Sequence, residues 1–126
     1  MANPYHHAVS SVRKFGGKVT DYLSLHEWFD QTKEHFADFR HRALRHHSLG
    51  IYECMRIFGD DEHCITNSDG KKVPVRWIGE QHCREDCGYV PSVQDWLQHL
   101  KPEKWMGRPP IKLERELELT EGEVTV

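Results

Sequence analysis

Thr20-Asp21-Tyr22-Leu23-Ser24-Leu25-His26-Glu27-Trp28-Phe29-Asp30 is the stretch that decides the fold. Tyr22, Leu25, Trp28 and Phe29, continued by Phe36, recur at the spacing that gathers side chains on one face of an α-helix. The pattern predicts a helix that starts at Thr20 or Asp21, either of which can cap it, and runs to about His35. His26 and Asp30 lie beside the apolar stripe, at the edge between core and solvent. Residues four apart on a helix stand about 5–6 Å apart at Cβ. A neutral imidazole and a carboxylate so placed can together hold a divalent cation.

The same pair returns downstream as His82 and Asp86, on a helix expected from about Arg76 to Cys87 that also carries Glu80 and Glu85 and ends at Gly88. Between the two lies Arg40-His41-Arg42-Ala43-Leu44-Arg45-His46-His47. The spacing of Leu44, Ile51, Met55 and Phe58 predicts one helix from about Asp38 to Phe58, closed by Gly59. Gly50 inside it costs about 1 kcal/mol against alanine, which points to close approach of another helix or of a ligand.

Outward from these elements, a short helix is expected over Ala8–Phe15, stopped by Gly16-Gly17. Ile65 to Val75 reads as a β-hairpin around Asp69-Gly70, with Pro74 confining its second strand to an edge. Ser92 and Asp95 form a capping pair ahead of Val93, Trp96, Leu97 and Leu100. Residues 111–119 alternate enough to form a strand or an acidic tail. The expected architecture is α+β and mostly α: about four packed helices and a small hairpin near residues 64–76, with a C-terminal strand as an option. One helical domain spans residues 1–110, and an acidic segment spans 111–126.

Only 37% of the 126 residues are hydrophobic and 29% are charged, so the core should be thin. Ten histidines are more than packing needs; protonating all of them would take the net charge from −3 to +7. No stretch approaches the ~20 apolar residues of a membrane span, and residues 1–7 lack the apolar core of a secretion signal. A soluble cytoplasmic protein is therefore expected, with Cys54, Cys64, Cys83 and Cys87 as thiols or ligands rather than disulfides. The four-residue spacing of Cys83 and Cys87 is not the knuckle of a zinc ribbon; a site shared with His63 and Cys64 is the weaker option.

The leading chemistry is a metal site. His26, Asp30, His46 or His47, His82 and Asp86 are the candidate ligands, suited to zinc, manganese or iron. Bound water would become a nucleophile, with Glu80 or Glu85 as base and Trp77 as a wall against solvent. Arg40, Arg42 and Arg45 suggest a grip on phosphate or nucleic acid, hence a metal-dependent phosphoester hydrolase. Against the metal site stand surface histidines beside helix carboxylates, contributing a few tenths of a kcal/mol each, and against the phosphate grip stands a solvated basic face. His6-His7 is a ligand pair or a disordered end, with the latter preferred. Trp28, Trp77, Trp96 and Trp105 are expected mostly as core anchors.

Two resemblances add to this. Arg40 with His46, or Arg42 with His47, resembles the arginine–spacer–histidine signature of the all-helical HEPN ribonucleases. That likeness implies metal-free attack by a ribose 2′-hydroxyl assisted by Arg40 and His46, with His41 as the polar residue after the arginine. Met1 to Ser11, Arg40 to His47, Asn67 to Gly70, Val73 to His82 and Asp95-Trp96 resemble a family of short uncharacterised proteins of bacteria and their phages, over residues 1 to about 108. The family implies bacterial or phage-infected cytosol and no particular reaction. It keeps open a protein that binds and modulates a host protein without catalysis.

Overall fold

The computed structural model describes residues 3–108. Helix α1 (Pro4–Phe15) starts where the Asn3 side chain accepts from the His6 N–H, with Pro4 at the first turn, and it ends at Gly16. It begins four residues before the expected Ala8. Gly16 and Gly17 both take positive φ, 82° and 78°, which lets the chain reverse at once into α2 (Val19–Asp30). There Asp21 accepts from the Lys18 N–H at 2.7 Å. Tyr22, Leu25 and Phe29 are buried as the stripe requires, but the α-helix stops at Asp30 and continues only as a 3₁₀ turn, Gln31–Glu34. Phe36 is exposed rather than part of the core.

The helix expected over residues 38–58 is broken. A 3₁₀ turn (Phe39–His41) leads into one turn of helix, α3 (Arg42–Arg45), and then α4 (Ser48–Phe58) starts afresh. Its cap is His47, whose Nδ1 accepts from the Gly50 N–H at 3.0 Å. The break is held from α6 (Val93–Leu97) and the residues before it. Trp96 Nε1 donates to the His46 carbonyl at 3.0 Å, and the Pro91 carbonyl accepts from the Ser48 N–H at 2.8 Å. Gly50 allows a close approach, but by the preceding turn: a Cβ there would lie 1.9 Å from the Arg45 carbonyl oxygen.

Strands β1 (Cys64–Thr66) and β2 (Lys72–Pro74) pair antiparallel, with Ile65 opposite Val73, around the Asp69-Gly70 turn. Val73 is buried against the helices. Helix α5 (Val75–Cys87) follows Pro74 directly and ends at Gly88 in the left-handed region, φ 84°. It packs on α4 and α2, where a Cβ on Gly79 would come within 3.1 Å of Ile51 and 3.2 Å of Phe29. Ser92 and Asp95 form the expected capping box of α6. The fold is thus α+β and mostly α: helices α1, α2, α4 and α5 close around one core, with the hairpin on its side.

That core contains Ala8, Tyr22, Leu25, Phe29, Ile51, Cys54, Val73, Val75, Ile78 and Cys83. The tryptophans contribute less than expected. Trp28 and Trp96 are half-buried, Trp77 lies on the surface stacked on Phe15, and Trp105 is the most exposed large hydrophobic side chain among the described residues. The expected C-terminal strand lies outside the described residues. No helix among them is long and apolar enough to cross a membrane.

Candidate metal centre

Polar side chains fill the space where the four long helices meet. His7, His26, His41, His46 and His82 are all fully buried, and Asp30 is only 6% exposed. They come from α1, α2, the 39–41 turn, the end of α3 and α5. Around Asp86, the donors converge on one point. His46 Nε2 lies 2.9 Å and His82 Nε2 3.2 Å from Asp86 Oδ2, and the two nitrogens are 3.1 Å apart. Both stand 3.4 Å from Asp30 Oδ1. Donors about 2.1 Å from a common ion are separated by about 3.0 Å along an octahedral edge and about 3.4 Å along a tetrahedral one. The observed separations span that interval.

The hydrogen-bond network assigns the protons. Gln81 uses its amide N–H groups on the His7 carbonyl and Glu85 Oε1, so its Oε1 needs a donor, and the Ser11 hydroxyl is 2.7 Å away. With its proton given to Gln81, Ser11 accepts from His26 Nε2–H at 2.8 Å. His26 Nδ1 is then a bare lone pair, 2.9 Å from His82 Nδ1, which must donate to it. His82 Nε2 is left bare and points at His46, Asp30 and Asp86. His26 thereby orients His82, the role that an outer partner plays for a metal-ligating histidine. Burial opposes a charge on His26 and pushes its pKa down to about 2, so the ring is neutral.

His7 behaves oppositely. Its Nδ1–H donates to Glu85 Oε1 at 2.7 Å and its Nε2–H to Asp86 Oδ1 at 3.1 Å. Burial works against its charge, but the Asp86 and Glu85 carboxylates outweigh burial and raise its pKa above the ordinary 6.5. Asp86 is correspondingly held well below the usual carboxylate range: burial alone would raise it, and hydrogen bonds from His46 and His7 prevail. Asp30 differs. It is nearly enclosed, yet neither carboxylate oxygen has a hydrogen-bond partner.

The structure brings His26, Asp30, His46, His82 and Asp86 together, as the two i,i+4 pairs predicted. His47 does not join them, because its ring is the cap of α4. Glu80 is also a correction: it pairs with Arg76 and Arg84 at the surface and cannot serve as base for this centre. Glu85 faces the centre only through His7, and its other oxygen accepts from the Ser10 hydroxyl at 2.6 Å. Arg40 is exposed and bonded to Asp38, whereas His46 is directed at Asp30 and Asp86, so the two do not face a common space. Arg42 is nearer: its Nη1 donates to the Asp86 carbonyl at 3.2 Å. Cys83 lies in the apolar core, where burial pushes its thiol pKa above the ordinary 9.0, and Cys64 belongs to the hairpin.

Two members were missed in the sequence. His7, set aside with a disordered end, bonds to residues nearly eighty positions away, a contact that no local pattern announces. His41, read as part of a basic run and as the polar residue after Arg40 but not as a ligand, is bonded to Thr32. A surface groove of ≈ 410 Å³ lined by Ser24, Glu27, Trp28, Gln31, Glu34 and Phe58 includes none of these donors.

Residues 2–106 match the family described as a domain of unknown function (DUF6915), and the chain belongs to it. No curated protein and no solved structure matches the chain.

Proposed function

We propose that this chain is a divalent transition-metal-binding protein, with the ion held by Asp30, His46, His82 and Asp86. The observation that carries this reading is the convergence of four buried side chains: His46 and His82 stand 2.9 and 3.2 Å from Asp86 and both 3.4 Å from Asp30, a carboxylate that has no hydrogen-bond partner. A buried carboxylate without partners costs several kcal/mol, and a cation among these donors removes that cost. Two imidazoles and two carboxylates suit zinc, manganese or iron better than calcium or magnesium. The Glu85–His7 and Ser11–His26 pairs support the donors from outside, as metal-bound residues require.

Elemental analysis of untagged protein purified without chelator tests the proposal. We expect close to stoichiometric transition metal, lost in Asp86→Asn, and a rise in Tm when zinc or manganese is added to stripped protein. Fewer than about one ion per ten chains, with no thermal shift, rejects it.

A narrower reading adds hydrolysis of a phosphoester. Arg42 favours it: the guanidinium reaches the Asp86 carbonyl while its Nε is buried without a partner, beside the proposed ion. An ion-bound water would attack and Arg42 would take the phosphate oxygens. Cleavage of a chromogenic phosphodiester that is lost with chelator, and that shows a raised KM in Arg42→Ala, is expected. Cleavage indifferent to chelator refutes it.

A further inference from the structure

A second cluster of unpartnered atoms adjoins the first. Apart from Arg42 Nε, the buried side-chain nitrogens and oxygens that find no hydrogen bond among the described residues are Asp30 Oδ1 and Oδ2, His41 Nε2 and His46 Nδ1. These four atoms belong to three residues, and Asp30, His41 and His46 each offer a ligand atom within 4.8 Å of the others. Both Thr32 contacts to His41 form hydrogen bonds together in only one tautomer. Thr32 Oγ1 donates its one proton to the His41 carbonyl at 3.1 Å, so toward His41 Nδ1, also at 3.1 Å, it accepts. Nδ1 therefore carries the hydrogen. His41 Nε2 is a bare lone pair in a fully buried ring, facing no donor.

Buried polar atoms are almost always satisfied. Orphans scattered through a protein would need separate explanations, but these fall on three residues around one carboxylate. One ion among Asp30, His46, His82 and Asp86 engages one oxygen of Asp30 and one nitrogen of His46. It leaves Asp30 Oδ2, His41 Nε2 and His46 Nδ1 as they were. We infer that the centre holds two divalent cations. The second is bound by His41 Nε2 and the free oxygen of Asp30, whose carboxylate bridges the pair; His46 gives its one lone pair to the first ion and keeps its hydrogen on Nδ1. This deepens the metal-binding proposal and rests on it.

Asp86 has the same bridging form on its own side, with Oδ1 toward His7 and Oδ2 toward His46 and His82. Its oxygens are hydrogen-bonded, however, and those of Asp30 are not, which is why the second ion belongs on the His41 side. Paired ions clamped by carboxylates are the form of metal site that stabilises both the attacking and the leaving oxygen of a displacement.

The test is the stoichiometry of manganese or zinc bound to the stripped full-length chain, read by calorimetric titration and by elemental analysis after desalting. The wild type should bind two ions, with magnetic coupling between manganese ions visible by electron paramagnetic resonance. His41→Gln should bind one. Thr32→Val keeps the imidazole but frees its tautomer, and should weaken the second ion roughly ten- to hundred-fold while leaving the first. If His41→Gln fails to fold, Thr32→Val and the wild-type count decide between the outcomes. Wild type saturating at one ion, or an unchanged second affinity in Thr32→Val, overturns the second site and leaves the first standing. No ion at all removes both.

Discussion

Replacing Gly50 with alanine sets two effects of opposite sign against each other. In a helix interior alanine is favoured over glycine by about 1 kcal/mol, so propensity alone predicts a more stable protein. The structure predicts the reverse. The added Cβ would stand 1.9 Å from the Arg45 carbonyl oxygen, 2.6 Å from its carbon and 2.9 Å from its Cα. The first of these falls 1.5 Å short of the 3.4 Å at which ordinary contact begins, and all three are backbone atoms that no rotamer change can move. Relief requires shifting the Arg45–His47 link, which Trp96 and Pro91 hold from the other side. Overpacking of this kind costs about 3 kcal/mol, for a net loss of about 2 kcal/mol after the propensity gain. Across a domain of this size that lowers Tm by about 6–12 °C. The shift also carries His46 with it, so metal retention should fall together with stability. Urea denaturation of metal-free protein and metal content of the purified variant are the two measurements. A Gly50→Ala protein that is as stable as wild type, and equally loaded, would refute the close approach and the placement of His46 that depends on it.

His47→Ala should cost about 1 kcal/mol through loss of the cap on the Gly50 N–H, yet keep its metal; loss of metal with the fold intact would return His47 to the ligand set. In chelator, stability should fall as pH drops below 6.5. His26 has its folded pKa pushed down to about 2, so below 6.5 the unfolded chain takes up a proton that the folded chain refuses, and the deficit is about 2.3 kcal/mol between pH 6.5 and 4.5. His41 and His47, also lowered by burial, act in the same direction. His7, raised, has the opposite sign: its contribution is complete below 6.5 and fades as pH climbs through its folded value, so it adds no acid slope. Denaturation curves for His26→Gln should be shallower by about one proton over this range, and an unchanged slope would contradict the neutral, buried ring.

Much of the fold was legible because local periodicity and capping agreed with the final packing. The Tyr22–Leu25–Phe29 stripe, the Asp69-Gly70 turn, Gly88 and the Ser92–Asp95 box all do in the structure what their chemistry suggests alone. The i,i+4 pairs were legible for the same reason, since a helix brings His26 to Asp30 and His82 to Asp86 whatever surrounds them. The break between α3 and α4 was not. Leu44, Ile51, Met55 and Phe58 keep helical register across it, and the forces that cut it are tertiary: the Trp96 indole on the His46 carbonyl and the Pro91 carbonyl on the Ser48 N–H. An imidazole acting as cap is also outside the usual Ser, Thr, Asp and Asn set. The consequence is large, because the break separates His46, turned inward, from His47, turned to the backbone.

The arginines of the basic run acquire a different meaning from the same geometry. Arg40 is engaged by Asp38, and Arg45 lies over the Trp28 ring at 4.3 Å while donating to the Trp28 carbonyl at 2.7 Å. Arg42 donates to the Asp86 carbonyl. Those two carbonyls belong to the last turns of α2 and α5, so α3 is tied by its arginines across the C-terminal ends of both helices. Asp30 and Asp86 stand in those same last turns, where the helix dipole is negative and a carboxylate loses rather than gains about 0.3–1 kcal/mol. Nothing in folding alone rewards two acids at two wrong ends, buried and brought within reach of shared imidazoles. Guanidinium groups satisfy the carbonyls there and leave the Asp30 oxygens bare. His7 brings positive charge to Asp86 and Glu85 but not to Asp30, and the divalent cation proposed above would supply it there while using the imidazole lone pairs aimed at the same point.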